Sequence, residues 1–350
     1  MRNSTQRLGG NGRMGRIGKF AGVASAVLAC LAISACGGKK EEQPKKAANK
    51  ASGTPEKLVI GVIAKSKDNK IFIPVEKGAI DAAKALSAEH GVDIQIRWRT
   101  PDVEDAKRQA EELTSLANEA DGIAISVSDS NVLTSAIDDA VAKGIPVVTF
   151  DSDAPDSGRF AYYGTDNYDA GMQIMRELAQ LTNGQGTVAI LSGNQNATNL
   201  NARVQGALDE LKKHPGMTLQ KVYYQNPEGS KQAVETIETA QAAFPDITGW
   251  VMVGGWALYT DNALDKIKGK ARVVSLDAMP PQLPYVERGE AEVLLGQNSY
   301  DWGYRSVELL VENILNNEKP ADPAVKAPLT RVTKDNVAEH RNTLKSWGLD

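Results

Sequence analysis

Short apolar runs alternate with stretches of helical periodicity along most of the chain, and this alternation restricts the folds it can adopt. The first run covers residues 58–63, and the segment after it has Pro74 near its start and Gly91 at its end, as a helix would. Strands that alternate with helices form parallel sheets covered on both faces, so the sequence predicts an α/β fold. Further strands are predicted at 92–96, 123–125, 145–150, 187–191, 219–223, 249–253, 272–276 and 293–295.

The body of the chain is too long for one hydrophobic core. About 290 residues follow Leu58, and single cores stop growing at roughly 250–300 residues. We therefore predict two doubly wound parallel-sheet lobes, one for each series of strands. Between the second and third strands a helix is predicted from about Asp102, because one of its faces would carry Val103, Ala106, Ala110, Leu113 and Ala117.

The N-terminal segment has the composition of an export signal. Residues 1–35 contain five basic residues and no acidic one, and an uncharged run too short to span a bilayer precedes Cys36. Residues 31–36 resemble the lipobox of bacterial lipoproteins, with Cys30 as a weaker second candidate. We predict a lipoprotein signal peptide over 1–35, lipidation of Cys36 and a disordered tether over 36–57, which would anchor an exported protein to the cell envelope. An ordinary signal peptide with an incidental cysteine is the alternative.

Charge, cysteine content and motifs exclude several classes of function. Without the leader's five basic residues, 35 basic and 44 acidic residues leave a net charge of −9, which disfavours a nucleic-acid partner. Both cysteines lie in the N-terminal segment, so the body has no disulfide and no thiolate metal site. The G-x-G-x-x-G pattern at 10–15 lacks the preceding strand that a dinucleotide site requires. We expect no cofactor and no metal ion.

Polar side chains follow most of the predicted strands. Ligands of open parallel sheets bind beyond the carboxyl ends of the strands. Carboxylates accept hydrogen bonds from hydroxyl groups, amides donate and accept, and an aromatic ring packs on the C–H face of a sugar. This mixture suits a polyhydroxylated small molecule, although such residues also cap helices. The candidates are Asn69, Phe72, Ser126, Asp151, Ser152, Trp256, Asp277 and Gln297.

Motifs for catalysis are missing from the sequence. It contains no H-E-x-x-H, G-x-S-x-G or P-loop pattern. None of His90, His214 and His340 neighbours a predicted strand end, so we predict that they are structural or exposed. Asp151 and Asp153 form a pair suited to acid–base chemistry, but adjacent acids also occur in ligand-binding proteins. We predict that the protein is not an enzyme.

Eight segments of the body are weak evidence when taken singly, but their shared order and spacing make them specific when taken together. They are K-D-N-K-I-F-I-P-V-E-K-G-A, D-G-I-A-I-S-V-S-D-S, G-I-P-V-V-T-F-D-S-D, Y-Y-G-T-D-N-Y-D-A-G, N-A-R-V-Q-G-A-L, F-P-D-I-T-G-W-V, V-V-S-L-D-A-M-P and L-L-G-Q-N. Over about residues 58–333 the chain resembles the periplasmic sugar-binding proteins of the ribose-receptor type, the receptors of sugar ABC transporters.

The resemblance implies the type I periplasmic binding protein fold, in which a hinge of several segments joins two lobes. The N-terminal lobe would comprise 58–165 and 298–329, and the C-terminal lobe 166–297 and 330–350. The hinge would lie near 163–167, 297–299 and 326–332. The ligand-binding residues implied by the resemblance are Asn69, Phe72 and Asp151 in the first lobe, Arg203 in the second, and Asp277 and Gln297 near the crossover.

The sequence also departs from the ribose-receptor pattern. Ribose receptors have a second aromatic residue at Ile71, an asparagine at Ser126, an arginine at Ser152 and a phenylalanine near Glu228. Trp256 would supply the missing ring. These differences put ribose itself in doubt as the ligand.

From these observations we predict a substrate-binding component of a sugar ABC transporter. It would be a monomer that captures a monosaccharide or related polyol by hinge closure and delivers it to a permease. The alternatives are an enzyme on the same scaffold acting on a small polyol or sugar, and a sugar sensor linked to a chemoreceptor. Sugar-responsive repressors share the core, but they need an N-terminal helix-turn-helix where this chain has a leader.

Overall fold

Two six-stranded sheets covered by helices make up residues 55–349, the part of the chain that the computed structural model describes. The predicted signal peptide, Cys36 and most of the predicted tether lie outside these residues. The predicted α/β fold with two parallel-sheet lobes is confirmed. None of the helices within 55–349 combines the length and apolarity needed to cross a membrane.

Twelve strands are present in the described part of the chain. They are β1 (Lys57–Ile63), β2 (Asp93–Trp98), β3 (Gly122–Ile125), β4 (Val147–Phe150), β5 (Ala161–Thr165), β6 (Gln185–Leu191), β7 (Gly216–Tyr223), β8 (Ile247–Met252), β9 (Arg272–Leu276), β10 (Val293–Gly296), β11 (Ala324–Ala327) and β12 (Thr330–Val332). The first sheet has the order β11-β5-β4-β3-β1-β2, and all its neighbours pair in parallel. The second has the order β12-β10-β9-β8-β6-β7, in which β12 alone runs antiparallel to its neighbour.

The helices connect the strands and cover both sheets. They are α1 (Ile73–His90), α2 (Ala106–Leu116), α3 (Ser130–Ala142), α4 (Asn167–Leu181), α5 (Thr198–Leu211), α6 (Ser230–Ala243), α7 (Leu283–Glu287), α8 (Ser299–Asn316) and α9 (Val337–Ser346). Pro74 lies in the first turn of α1, and Gly91 ends the helix with a φ of 68°, as the sequence predicts.

The start of α2 differs from the prediction. The side chain of Asp105 accepts a hydrogen bond from the backbone nitrogen of Arg108 at 3.0 Å, so the helix begins at Ala106 rather than near Asp102. Val103 therefore lies outside the helix and is 60% exposed. The apolar spacing correctly predicts a helix in this segment, but the capping residue determines where the helix begins.

The chain passes between the two sheets three times. The passages lie between Thr165 and Asn167, between β10 and α8, and between Ala327 and Thr330. All three fall within the segments predicted as the hinge. The residue limits of the two lobes remain a prediction.

Candidate functional site

A small cavity lies between the two sheets, beyond the carboxyl ends of their strands. Its volume is about 20 Å³, which is room for about one water molecule. Seven of the nine predicted site residues line it, and they come from both lobes: Asn69, Phe72, Asp151, Arg203, Trp256, Asp277 and Gln297.

Asp151 connects the two lobes beside this cavity. It follows β4 directly, and its Oδ2 accepts a hydrogen bond from Ser126 Oγ at 2.7 Å in the first lobe. Its Oδ1 accepts from Asn199 Nδ2 at 3.1 Å and lies 3.9 Å from Arg203 Nη2, both on α5 of the second lobe. Lys65 Nζ is 4.0 Å from Oδ2. One carboxylate thus has polar partners on both sides of the cleft.

Arg203 is fixed against the cavity by bonds to three different elements. It is 3% exposed. Its Nε donates to Asn167 Oδ1 at 2.8 Å, its Nη1 to the carbonyl oxygen of Val253 at 3.0 Å, and its Nη2 to Gln297 Oε1 at 2.7 Å. Because a guanidinium presents five donors in one rigid plane, these bonds orient the whole group.

Asp277 follows β9 directly and is 4% exposed. Its Oδ1 accepts a hydrogen bond from Gln297 Nε2 at 2.7 Å, and its Oδ2 accepts from the backbone nitrogen of Gly255 at 2.9 Å and from the hydroxyl of Tyr259 at 3.2 Å. Burial raises the pKa of Asp277, while the charge of Arg203 and these donors oppose the rise. The carboxylate is therefore held in one orientation at the cavity wall.

Two aromatic side chains line the cavity from opposite lobes. Phe72 ends the short turn after β1, and its ring centroid lies 6.3 Å from that of Trp302. Trp256 begins a short 3-10 turn after β8, and its indole packs so closely on Gly254 that a β-carbon there would overlap it. Both rings are at most 5% exposed. They give the cavity apolar surface on two sides.

Among the predicted polar residues, Asn69 both lines the cavity and stabilises a turn, whereas Ser126 and Ser152 lie outside the cavity lining. Asn69 lines the cavity, and its Oδ1 also accepts from the backbone nitrogen of Ile71 at 3.3 Å. The sequence predicts Ser126 and Ser152 as ligand-binding residues, but neither lines the cavity. Ser126 Oγ donates to the Asp151 carboxylate, and Ser152 is fully buried.

Two cavity residues, Lys65 and Asn199, are absent from the predicted set. Lys65 lies just beyond β1 and is 3% exposed, with Nζ 3.3 Å from Asn199 Oδ1. A buried ammonium is costly unless acceptors surround it. The sequence positions of both residues could have indicated that they belong to the site. Lys65 follows the first strand, and Asn199 lies one helical turn before Arg203.

Glu228 also lines the cavity and was missed. It is partly buried in the loop between β7 and α6, and it accepts a hydrogen bond from the backbone nitrogen of Asn194 at 3.1 Å. Burial raises the pKa of Glu228 to about 7; the charge of Lys65 lowers it, and the charges of Glu104 and Asp151 raise it further. Burial thus brings the pKa of this carboxyl group close to neutral pH.

A larger groove of about 520 Å³ lies at the amino ends of the strands in the second sheet. Lys270, Arg272, Glu290 and Glu292 contribute to its lining. Arg272 is paired with Glu292 at 2.9 Å, and Lys268 with Glu290 at 2.6 Å. Parallel sheets bind ligands at the carboxyl ends of their strands, so the small cavity between the lobes is the better candidate.

The cavity offers hydrogen bonds and apolar contact rather than a metal centre. Its carboxylates accept from hydroxyl groups, and its guanidinium and amide groups donate to hydroxyl and ring oxygens. Within residues 55–349, no group of three His, Cys, Asp or Glu side chains is placed to hold a metal ion. The side chains that line the cavity are suited to binding a small polar molecule.

Comparison with known sequences identifies relatives over most of the body. Residues 60–319 match the sequence model of a family described as periplasmic binding protein domain. The ribose import binding protein of Bacillus subtilis is 26% identical over 180 residues, which are 51% of this chain and 56% of that protein. The D-apiose import binding protein of Actinobacillus succinogenes is 24% identical over 219 residues, 62% of this chain and 68% of that protein. The chain thus spans little more than half the length of the ribose relative.

Solved structures match a larger share of this chain than the two sequence relatives do. An ABC transporter solute-binding protein from Burkholderia graminis, in complex with D-arabinose, is 30% identical with a TM-score of 0.73, covering 80% of this chain and 96% of that one. A glucose-galactose binding protein from Geobacillus stearothermophilus is 27% identical with a TM-score of 0.73, covering 80% and 99%. These matches support the two-lobed architecture.

Proposed function

Because the chain belongs to the periplasmic binding protein family, we propose that it is the receptor component of a sugar ABC transporter, which captures a monosaccharide or related polyol. The observation that carries this proposal is the convergence of buried polar side chains from both lobes on one cavity. Asp151, Arg203 and Asp277 supply the acidic and basic groups, and Phe72 and Trp256 supply one ring from each lobe.

The arrangement suits a sugar because the cavity combines polar side chains with aromatic rings. Hydroxyl groups around the edge of a sugar ring donate to carboxylates and accept from a guanidinium, while the C–H faces pack on aromatic rings. Asp151 and Asp277 are acceptors at fixed orientation, and Arg203 is a fixed donor. The sugar would lie between Phe72 and Trp256.

Binding requires the lobes to separate and close. A cavity of about 20 Å³ does not admit a sugar ring, and contacts such as Thr198 Oγ1 to the carbonyl oxygen of Asp153, at 2.9 Å, hold the lobes together. Rotation at the three chain passages would open the cleft. A ligand that contacts both lobes stabilises the closed form, because only that form makes both sets of contacts.

Membership of this family implies an exported protein. The proposal extends this to anchoring through a lipid on Cys36, to action as a monomer and to delivery of the unchanged sugar to a permease. An enzyme acting on a sugar in the same cleft is the competing function. Recovery of chemically unaltered sugar after prolonged incubation with the protein supports the receptor, and conversion of the sugar would favour the enzyme.

A calorimetric screen tests the proposal directly. The described residues 55–349 lie within one compact unit. A protein comprising residues 53–350 can be titrated with D-arabinose, D-ribose, D-apiose, D-glucose, D-galactose and D-arabitol. We expect at least one of these compounds to bind one to one, with a Kd on the order of micromolar or tighter. Failure of every compound to bind would contradict the proposed function.

A further inference from the structure

Charged side chains from both lobes meet beside the cavity, and we propose that Glu228 is a further ligand-site residue that takes up a proton when the lobes close on a sugar. The inference rests on the proposed function, since it concerns the same cleft. Glu228 lines the cavity. In its protonated form it would donate a hydrogen bond to a sugar oxygen, whereas its ionised form could only accept.

Asn194 links Glu228 to a carboxylate of the other lobe. The backbone nitrogen of Asn194 donates to Glu228 Oε1 at 3.1 Å, and its Nδ2 donates to Glu104 Oε1 at 2.9 Å. Glu104 precedes α2 in the first lobe, and Glu228 precedes α6 in the second. Separation of the lobes would break this bridge and move the two carboxylates apart.

Three charged groups of the first lobe face Glu228 in the closed arrangement. They are Lys65 beyond β1, Glu104 before α2 and Asp151 beyond β4. Lys65 Nζ lies 4.0 Å from Asp151 Oδ2, so its positive charge is shared with that carboxylate. Closure therefore places two negative groups and one positive group around Glu228 and removes water from it. The loss of water and the two negative groups disfavour its ionised form, and the positive charge of Lys65 opposes them.

The direction of the pH effect follows from this geometry. Separation of the lobes removes the first-lobe groups and readmits water, so we expect the pKa of Glu228 to lie near the ordinary glutamate value in the open form, whereas burial raises it to about 7 in the closed arrangement. A group whose pKa rises on binding favours the complex below that pKa and loses the contribution as pH rises through it. Sugar affinity should fall about tenfold between pH 6 and pH 8, with uptake of about half a proton at pH 7.

Calorimetry in two buffers with different ionisation enthalpies measures the proton uptake. The probe is D-arabinose or, if D-arabinose fails in the screen above, the sugar of that panel that binds most tightly. The expected uptake at pH 7 should vanish in Glu228→Gln, whose affinity should change little between pH 6 and pH 8. Glu235→Gln is the matched control, because Glu235 is an exposed glutamate on α6, and it should retain the uptake of the unmodified chain.

Glu104→Gln provides a second test that leaves Glu228 in place. Glutamine retains the oxygen that accepts from Asn194 but removes one negative charge facing Glu228, so the midpoint of the pH dependence should move to lower pH. If Glu228→Gln does not fold, the Glu104→Gln variant still tests the proposal. Sugar binding without proton uptake, or an uptake unchanged in the Glu228→Gln variant, would overturn the inference and leave the proposed function standing. Failure of every sugar to bind would overturn both.

Discussion

The two aspartates that line the cavity share an uncommon backbone conformation. Asp151 has a φ of 58° and Asp277 a φ of 66°, in the left-handed region that residues with a β-carbon rarely adopt. Such conformations cost about 1–3 kcal/mol and cluster at functional sites. Each aspartate directly follows a buried strand, so the turn redirects its side chain to the cavity. Hydrogen bonds from Ser126 and Gln297 help to hold the two conformations.

Alanine substitutions of Asp151 and Arg203 should weaken sugar binding and leave the fold intact. Asp151→Ala and Arg203→Ala each remove charged hydrogen-bonding groups worth about 1.5–3 kcal/mol apiece, so each should weaken sugar binding about tenfold or more. Calorimetry gives the Kd, and thermal unfolding reports whether the fold is intact. Arg305→Ala, which removes an exposed arginine on α8, should leave affinity unchanged. Unaltered affinity in both cavity variants would refute the site assignment.

His340 shows what residue-level sequence reasoning misses. In sequence it lies in a polar segment far from any predicted strand, but in the structure it is 8% exposed. Its Nε2 lies 2.8 Å from the carbonyl oxygen of Ala278, the residue after Asp277. Burial lowers the pKa of His340. His340 is therefore structural, one of the two roles predicted for the histidines, but its contact beside Asp277 cannot be read from the sequence because α9 packs on a part of the chain about sixty residues earlier.

Strands and the residues after them were the elements best predicted from the sequence. Parallel strands present their carboxyl ends at one edge of a sheet, so local patterns place Asp151 and Asp277 each at a ligand-binding edge, and the family resemblance implies that the two edges share one cleft. Glu228 could not be placed there with the same argument, because it lies five residues beyond β7, in a loop whose path depends on tertiary packing. Asn199 depends on the rotation of α5 against α4, which sequence periodicity does not fix.

The contact between α4 and α5 fixes the position of Arg203. A β-carbon at Gly171 in α4 would overlap the carbonyl oxygen of Arg203, so glycine permits the close approach of the two helices. Gly171→Ala should push the helices apart and destabilise the fold by about 1–3 kcal/mol. Chemical denaturation measures this change. Sugar binding should weaken as well, because the Arg203 guanidinium would shift from its partners.

Gly158→Ala is the control for this substitution. A β-carbon at Gly158 would make only ordinary contacts, the shortest at 3.4 Å, so stability and affinity should both remain close to those of the unmodified chain. A Gly171→Ala variant as stable as the Gly158→Ala variant would show that the two helices tolerate separation. The proposed positioning of Arg203 by close helix packing would then be wrong.

For the whole molecule, length and strand count predicted two lobes, but the connections between them needed more than local patterns. β11 joins the first sheet and β12 the second, although only two residues separate them. β11 lies at the edge of the first sheet beside β5, and β12 lies at the edge of the second beside β10. No strand is predicted from the sequence over 324–332, so local patterns do not reveal this change of sheet.

Small-angle X-ray scattering tests the proposed opening and closing of the lobes. A saturating sugar should reduce the radius of gyration, because it stabilises the form in which both lobes contact it. In Asp151→Ala at the same sugar concentration the reduction should be smaller or missing. A radius of gyration that does not change in the unmodified chain at saturation would contradict closure around the ligand.

A crystal structure of the protein with the sugar selected by calorimetry will show whether one cleft between the lobes holds that sugar. The predicted result is a sugar between Phe72 and Trp256, hydrogen-bonded to Asp151 and Arg203. A sugar bound instead in the groove beside Arg272 and Glu292, with the cleft residues still bonded to one another, would contradict the account.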